Sequence, residues 1–437
     1  MGYNVGLLGL GTVGTGTAKI IMDSVGRHPL LEEISIVRVG VRNLDKARAV
    51  EFETGVVTDD LASIVTDPNI DIIVELIGGV KPALNYIMTA IEHGKHVVTA
   101  NKAVISRHGD EIFTAANAKG VYVLLEAAVA GGIPVLTPLK QALGVNRINR
   151  VTGIINGTTN YILTRMKNEG VDFDEVLAEA QRLGYAEADP TADVDGFDAA
   201  DKIAILASLA FGGRINLDDV YCEGIRKVTA ADIAYAEKLG FTIKLLAIAQ
   251  GHRPESGAMP SEIELKVHPT LLPKHHPLAT VDGVNNAVLV EADPLGEVMF
   301  YGPGAGEGAT ASAVVSDIVA IIATLEGCSL NDKGRGNPLL RCSHEHYTRV
   351  APMENTASRF YARILTQDRP SVIGHIGLAF GDHGVSLESV VQIDVHDRGA
   401  EIVVITHHVR EGEFQTALKA LLALEDVISV PSVLRVC

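Results

Sequence analysis

The sequence predicts an α/β protein in three parts: an N-terminal doubly wound parallel sheet, an α+β middle domain and a C-terminal ferredoxin-like unit. Three observations carry this reading. Short β-rich runs alternate with helical stretches from Tyr3 to Lys119, the pattern of a parallel sheet with helices on its faces. The turn Gly9-Leu10-Gly11-Thr12-Val13-Gly14 closes the first run and opens a helix. The stretch from Ser358 to Val436 has the order β-α-β-β-α-β.

Taken along the chain, Tyr3–Leu8 reads as a strand and Thr12–Ser24 as the helix after it. Glu33–Val41, Asp71–Leu76 and His96–Ala100 are further strands, with helices at Pro82–His93 and Gly109–Lys119. Val121–Glu126 is one more strand, leading into an Ala- and Gly-rich loop, Ala127–Pro134. Beyond it come a strand at Arg150–Ile155 and helices at Thr159–Glu169, Asp174–Leu183 and Ala199–Phe211. Ile263–Pro269 and Ala287–Ala292 read as antiparallel strands, the first with apolar residues at every second position. Val298–Tyr301 runs into a second glycine-rich turn, Gly302–Gly308, followed by a helix from Ala311 to Glu326. This return to glycine and helix predicts that the segment packs back on the first domain. Asn331–Tyr347 is polar and reads as a linker centred on Gly334-Arg335-Gly336-Asn337-Pro338. In the last unit, Ser358–Leu365, Ser386–Asp394, Ala400–His407 and Val427–Val436 are strands, and Pro370–Phe380 and Glu413–Leu424 are helices. That unit reads as an appended module able to fold alone. The expected domains are 1–130 with a return segment 302–345, then 131–301, then 350–437.

At 437 residues the chain is long enough for two or three cores, and its 47% apolar and 21% charged residues are ordinary for a globular protein. A net charge of -17 argues against nucleic acid and anionic membranes as partners, since both demand a basic footprint. No uninterrupted apolar run approaches the roughly 18 residues of a bilayer span, and no basic flank precedes the first strand as in a secretion signal. Cys222, Cys328, Cys342 and Cys437 form no C-x-x-C pair and read as reduced thiols of a cytoplasmic protein.

The first glycine turn fits G-x-G-x-x-G in the strand–turn–helix context that gives the pattern meaning. Gly9 permits the tight turn, Gly11 lets a pyrophosphate approach the backbone, and Gly14 lets helix pack on strand. The helix start, Thr12 and Val13, offers unpaired N–H groups to phosphates. The strand that would read the adenine ribose ends Val39-Gly40-Val41-Arg42-Asn43, with no carboxylate at its tip. Arg42 therefore favours the 2′-phosphate of NADP, while Asp45 nearby keeps NAD open. Thr99-Ala100-Asn101-Lys102 ends another strand at the ligand-binding edge, where a lysine can reach a cofactor or a substrate carbonyl or simply lie at the surface.

The densest cluster runs from Gly184-Tyr185-Ala186-Glu187 through Asp189, Asp193 and Asp195 to Asp198, five carboxylates in the twelve residues 187–198. Lys202 follows on an otherwise apolar helix, one turn beyond Asp198 and on the same face. A lysine beside acids retains its proton and can give it to a developing alkoxide. The competing readings are a metal loop, whose spacing matches no EF-hand, and an acidic loop that merely caps a helix.

These residues, with Glu75-Leu76-Ile77-Gly78-Gly79, Ala128-Val129-Ala130-Gly131-Gly132-Ile133-Pro134 and Asn156-Gly157-Thr158-Thr159-Asn160-Tyr161-Ile162-Leu163, occur in an order that closely resembles the homoserine dehydrogenases. The match runs from the first strand to about Gly327, and the C-terminal unit resembles an ACT domain, an amino-acid-sensing module. The resemblance implies a Rossmann-type NAD(P) domain, a catalytic and dimerisation domain, and interconversion of aspartate 4-semialdehyde and homoserine on the way to threonine and methionine. It makes Lys202 and Lys102 the catalytic lysines, the first as proton donor and the second as a positioner of substrate and nicotinamide. Glu187 and Asp198 are implied at the substrate's amino group or a water bound to it, with Asp193 close by, and backbone groups around Asn156–Thr159, Thr158 among them, and Gly184–Tyr185 at its carboxylate. Thr99, Gly304 and Gly306 are implied at the cofactor. A monovalent cation, sodium or potassium, is implied at the backbone carbonyls of Glu126, Val129, Gly131 and Ile133.

The family's ACT domains commonly carry glycine after the first-turn proline, whereas this chain has Asp368-Arg369-Pro370-Ser371-Val372. Ser371 places a side chain where an effector such as threonine would approach, which leaves two roles open for the module, binding an effector or dimerisation alone. A homodimer or homotetramer is expected, with Ile263–Pro269 and the ACT edge as strands able to pair across subunits. Two other readings compete: a non-catalytic sensor of dinucleotide and amino acid, and a dehydrogenase of another small aldehyde or sugar. The complete set of lysines and acids speaks against the first and the Asn156–Asn160 stretch against the second.

Overall fold

Strands β1 (Tyr3–Leu8), β2 (Ile34–Gly40), β3 (Val57–Thr58), β4 (Ile72–Glu75), β5 (His96–Thr99) and β6 (Val123–Leu124) form one parallel sheet in the order β3-β2-β1-β4-β5-β6. The computed structural model describes residues 2–252, 258, 260–327, 347–396 and 399–437. Helices α1 (Thr12–Met22), α2 (Leu61–Thr66), α3 (Ala83–Glu92) and α4 (Lys102–Lys119) connect the strands. The strands are rich in Val, Ile and Leu because both faces are covered: Val5, Leu8, Ile72, Ile73, Val74, Val97 and Val98 are all inaccessible. The strand order reverses between β1 and β4, and the crevice outside such a switch point is where doubly wound sheets bind ligands. Helix α4 starts at Lys102, not at Gly109 as expected. Asn101 caps it by accepting a hydrogen bond from the Val104 N–H, and Val104 and Ile105 already belong to its buried face.

The middle of the chain continues with α5 (Leu136–Lys140), β7 (Arg147–Ile154), α6 (Gly157–Glu169), α7 (Phe173–Arg182), α8 (Thr191–Val194) and α9 (Phe197–Phe211). Then follow β8 (Tyr221–Cys222), α10 (Ala230–Lys238), β9 (Phe241–Gly251), β10 (Glu262–Pro273), β11 (Asn285–Asp293), β12 (Gly296–Pro303) and α11 (Glu307–Gly327). Helix α9 is buried almost all round, with Ile203, Ala204, Leu206 and Ala207 at 2% exposure or less. It packs on β7, β9 and β10. By length and composition α11 could cross a membrane. Here it lies on α1 and buries Val314, Ile318, Ile321 and Ile322 in the same core as Val5 and Leu7. Gly16 makes that contact close, since a Cβ on it would lie 2.8 Å from the Glu307 carbonyl oxygen.

The last strands and helices are β13 (Arg349–Val350), β14 (Ala357–Thr366), α12 (Val372–Gly381), β15 (Leu387–His396), β16 (Gly399–Thr406), β17 (Val409–Arg410), α13 (Glu411–Leu422) and β18 (Val427–Val436). They have their own core, in which Phe360 stacks on Phe414 at 3.8 Å, with Phe380 beside them. Two expectations need correction here. The unit is not simply appended: β18 pairs in parallel with β10 through Thr270–Arg435 and Leu271–Val436. One twelve-stranded sheet results, ordered β12-β11-β7-β9-β10-β18-β14-β16-β15, with β8, β13 and β17 off that path. Ile263–Pro269 is no free edge either. It lies within β10, paired with β9 along its length on one side and with β8, β13 and β18 on the other. The ends of the path are β12 and β15. Cys222 and Cys437 are free thiols; Cys328, Cys342 and the expected linker from Asn331 to His346 lie outside the described residues.

Candidate active site

The glycine turn after β1 divides its work among three glycines. Gly9 has φ +102°, and a Cβ there would lie 2.8 Å from the Leu76 carbonyl oxygen. A Cβ on Gly14 would lie 2.1 Å from the Gly9 carbonyl oxygen, so both positions are closed by the chain itself. Around Gly11 nothing lies within 4 Å. Gly11 is the N-cap of α1 and no side chain caps that helix, so the N–H groups from Thr12 and Val13 onward face an open approach. Arg42 follows β2 and is exposed. Beside it, Arg48 reaches back to the carbonyls of Asn43 and Leu44 and fixes the turn.

Thr99 was expected at the cofactor, but its hydroxyl points inward. It donates to Glu75 Oε2 at 2.7 Å and accepts the Asn101 N–H at 3.0 Å. Glu75 is inaccessible and also accepts the N–H groups of Ile77 and Gly78. Burial pushes its carboxyl above the usual range. This glutamate ties the Gly78-Gly79 turn to the end of β5, a role that the motif itself did not reveal.

The lysines and acids converge. Asp198 and Lys202 stand one turn apart on α9 with Nζ 2.7 Å from Oδ2, and Lys202 Nζ also donates to the Ile155 carbonyl at 2.7 Å. Lys102, at the start of α4, places its Nζ 2.6 Å from the other Asp198 oxygen. Asn156, the N-cap of α6, donates from Nδ2 to Asp198 at 2.8 Å and to Asp193 at 2.7 Å. Its Oδ1 accepts the Thr159 N–H. Burial alone would raise the Asp198 carboxyl, but the two ammonium groups overcome it and hold it well below the usual range. Burial likewise works to lower Lys102, and the Asp198 charge overrides it and raises the amine. Asp193 is raised, chiefly by burial. The Lys202 side chain is 12% exposed and that of Lys102 is 38%. A fixed ammonium thus sits deep beside a more accessible one, a donor pair for an oxygen that gains negative charge. Asn156 is the functional side chain that sequence reasoning missed; its cap position before α6 was the available signal.

Glu187 stands apart. It is exposed, and its carbonyl, not its carboxylate, accepts a hydrogen bond from Gln181. Thr158 donates its hydroxyl to the Tyr185 carbonyl at 2.7 Å, which fastens the Gly184–Glu187 turn to α6. Gly184 is left-handed at φ +78°, and the Tyr185 ring packs against Tyr161.

The loop proposed for a cation is buried and tightly turned. Glu126 accepts the N–H groups of Val135, Leu136 and Thr137 at 2.6–2.7 Å, so its side chain is used by the loop itself. Ala130 and Gly131 are both left-handed at φ 57°. Among the described residues no group of three His, Cys, Asp or Glu side chains could hold a metal. The donors left in this loop are neutral main-chain carbonyls, which suit a hard monovalent cation. A Cβ on Gly131 would lie 2.2 Å from the Gly304 carbonyl oxygen, and the Gly132 N–H donates to Pro303. The second glycine turn, with Gly306 at φ +120°, therefore rests directly on this loop.

Comparison with known proteins gives three family matches along the chain. Residues 9–126 match a family profile described as homoserine dehydrogenase, NAD binding domain; residues 134–319 match homoserine dehydrogenase; residues 360–426 match the ACT domain. A homoserine dehydrogenase of a Synechocystis species is 61% identical over 436 residues and all of both chains. That of Bacillus subtilis is 43% identical over 99% of this chain and 98% of its own. The crystal structure of a homoserine dehydrogenase from Thiobacillus denitrificans superimposes with a TM-score of 0.91 at 43% identity, covering 100% and 98% of the two chains. A hyperthermophilic archaeal homoserine dehydrogenase in complex with NADPH matches 74% of this chain and 98% of its own, with a TM-score of 0.62 at 27% identity.

Proposed function

This chain belongs to the homoserine dehydrogenase family, and from that premise we propose that it reduces aspartate 4-semialdehyde to homoserine with NADPH as the preferred donor. The observation that carries the mechanism is Asp198 held between two lysine ammonium groups at 2.6 and 2.7 Å. A dinucleotide would be held by its pyrophosphate at the Gly9–Gly14 turn, and its reduced nicotinamide would supply the hydride for the aldehyde carbon. Lys202, fixed by Asp198 and the Ile155 carbonyl, gives its proton to the aldehyde oxygen as charge develops there. Lys102, the more exposed of the two, orients the aldehyde and the nicotinamide ring. Asp193 and Asp198, with Glu187 from the neighbouring turn, receive the substrate's amino group. The backbone around Thr158 and Gly184–Tyr185 receives its carboxylate.

NADP is favoured because Arg42 is exposed after β2 with no acidic residue at the strand tip. The archaeal relative with NADPH lends support from outside the chain. Gly304 and Gly306 lie at the nicotinamide end of this arrangement. A sodium or potassium ion at the carbonyls of Glu126, Val129, Gly131 and Ile133 would brace the loop on which that second turn rests. The ACT domain is the place for an amino-acid effector such as threonine, and the assembly is a homodimer or homotetramer.

The test is oxidation of homoserine followed by nicotinamide absorbance with each dinucleotide, with and without threonine. NADP should have the higher kcat/KM, and Arg42→Ala should narrow the difference. Lys202→Ala should retain dinucleotide affinity while kcat drops at least ~100-fold. Wild-type turnover in that variant would remove the role given to Lys202; a strong preference for NAD would remove that of Arg42.

A further inference from the structure

Helix α4 carries Lys102 to the site, and polar contacts join it to α9 at two levels. At the first, Lys102 Nζ meets Asp198 Oδ1 at 2.6 Å. The second lies about one turn further along both helices. There Ser106 donates its hydroxyl to Asp201 Oδ1 at 2.7 Å, and Arg107 Nη1 donates to the same oxygen at 2.8 Å. Lys102 and Ser106 are four residues apart on α4, and Asp198 and Asp201 three apart on α9, so each pair shares a helical face. Arg107 Nη1 also lies 3.2 Å from the Ala103 carbonyl, which draws the first turn of α4 into the same contact.

Packing alone does not call for a carboxylate at this place. Asp201 is 7% exposed, and Ala200, Ile203 and Ala204 around it on α9 are at 4% or less. Burial pushes its carboxyl above the usual range, against the pull of Ser106 and Arg107. Apolar residues of similar volume often replace such a buried pair without loss of stability. What the carboxylate adds is a directional contact that fixes how α4 lies on α9. Lys102 depends on that more than Lys202 does. Its side chain is 38% exposed on a flexible four-carbon stem, and among the described residues its ion pair is with Asp198. Lys202 is 12% exposed and has the Ile155 carbonyl as a second anchor. The Asp201 charge also adds to that of Asp198 in holding the Lys102 amine in its charged form.

We propose that Asp201 is a positioning residue for the reaction: by binding Ser106 and Arg107 it sets the first turn of α4 against α9 and so places the Lys102 ammonium at Asp198. The proposal rests on the role given above to Lys102 and adds a residue that acts through it.

The test is a double-mutant cycle on the full-length protein, with homoserine and the better of the two dinucleotides. Asp201→Ala should lower kcat/KM for homoserine about tenfold while the dinucleotide Kd stays unchanged. Asp201→Asn keeps an oxygen for Ser106 and Arg107 and should restore most of the loss. Lys102→Ala should lose more than Asp201→Ala. The double variant should be no worse than Lys102→Ala, because without the amine Asp201 has nothing to place. In a crystal structure of Asp201→Ala, Lys102 Nζ should have left hydrogen-bonding range of Asp198. Should Asp201→Ala fail to fold, Ser106→Ala takes its place in the cycle and in the crystal, with an expected loss of about threefold. Wild-type kcat/KM in the alanine variant, equal losses with alanine and asparagine, or losses that multiply in the double variant would each overturn the proposal. So would a Lys102 ammonium that stays on Asp198 in the crystal. Wild-type turnover in Lys102→Ala would instead remove the role given to Lys102, and the crystal structure would then decide by itself whether Asp201 places the amine.

Discussion

Asp198 and Asp317 are both buried aspartates, and their surroundings drive them in opposite directions. Asp198 faces two ammonium groups that outweigh its burial, so the folded state holds its charge firmly. Its contribution to stability is present above the unfolded pKa of about 3.9 and is lost as pH falls through the lower folded value. Asp317, on α11, is fully enclosed; burial and the nearby Glu126 carboxylate push its pKa well above the usual range. The folded chain therefore retains a proton that the unfolded chain releases. Stability linked to that proton is complete below about 3.9 and declines as pH rises through the folded pKa. Asp317 Oδ2 accepts the Glu126 N–H at 2.8 Å, and asparagine offers an equivalent acceptor. Asp317→Asn should keep the fold, melt about 1–2 °C above the wild type at neutral pH, and show a flatter Tm–pH curve. A variant whose melting temperature keeps the wild-type pH dependence would show that Asp317 does not carry it.

Ser371 shows how an element can preserve a strained residue. It is the N-cap of α12 at φ +77°, a left-handed conformation that favours glycine, and it makes no side-chain cap bond. Asp426 anchors the same turn by binding Arg369 and His375. Ser371→Gly should release the strain against a more flexible unfolded chain, for a net gain of about 0.5–1 kcal/mol in denaturant unfolding. A loss of stability would mean that the hydroxyl holds something the backbone conformation does not show. The departure from glycine at this turn was legible in the sequence, but its left-handed backbone was not. The same boundary between local and non-local information runs through the candidate site. Asp198 and Lys202 are four residues apart, so helical periodicity alone placed them together. Lys102 joins them through packing of α4 on α9, and Asn156 through its hydrogen bond from the N-cap of α6, contacts that no local pattern encodes. The inward turn of the Thr99 hydroxyl was not legible either, because a strand end fixes where a residue stands, not which way its hydroxyl turns. Strand β9 was not singled out because its continuous apolar run lacks the alternation that marks a half-buried strand.

The joining of β10 to β18 decides how the whole chain should unfold. An appended module would melt on its own, and the β-α-β-β-α-β order read alone supports that picture. The sheet instead runs unbroken from β12 to β15, and the junction is crossed by ion pairs of two buried arginines, Arg363 with Asp232 and Arg435 with Glu223. Arg363 reaches Asp232 of α10 at 2.9 Å and Glu401 at 3.2 Å. Arg435 pairs with Glu411 at 2.8 Å and with Glu223 across the junction. A buried pair adds little net stability when intact, because desolvation offsets attraction, but removing one partner leaves an uncompensated charge. Arg435→Ala strands Glu411, which is 5% exposed, and should destabilise the fold by about 3–5 kcal/mol. Because the strands on both sides share one sheet, the loss should lower the melting temperature of the whole chain in a single calorimetric transition. Two transitions, with only the smaller displaced by the substitution, would instead show that the C-terminal unit unfolds independently of the sheet it joins.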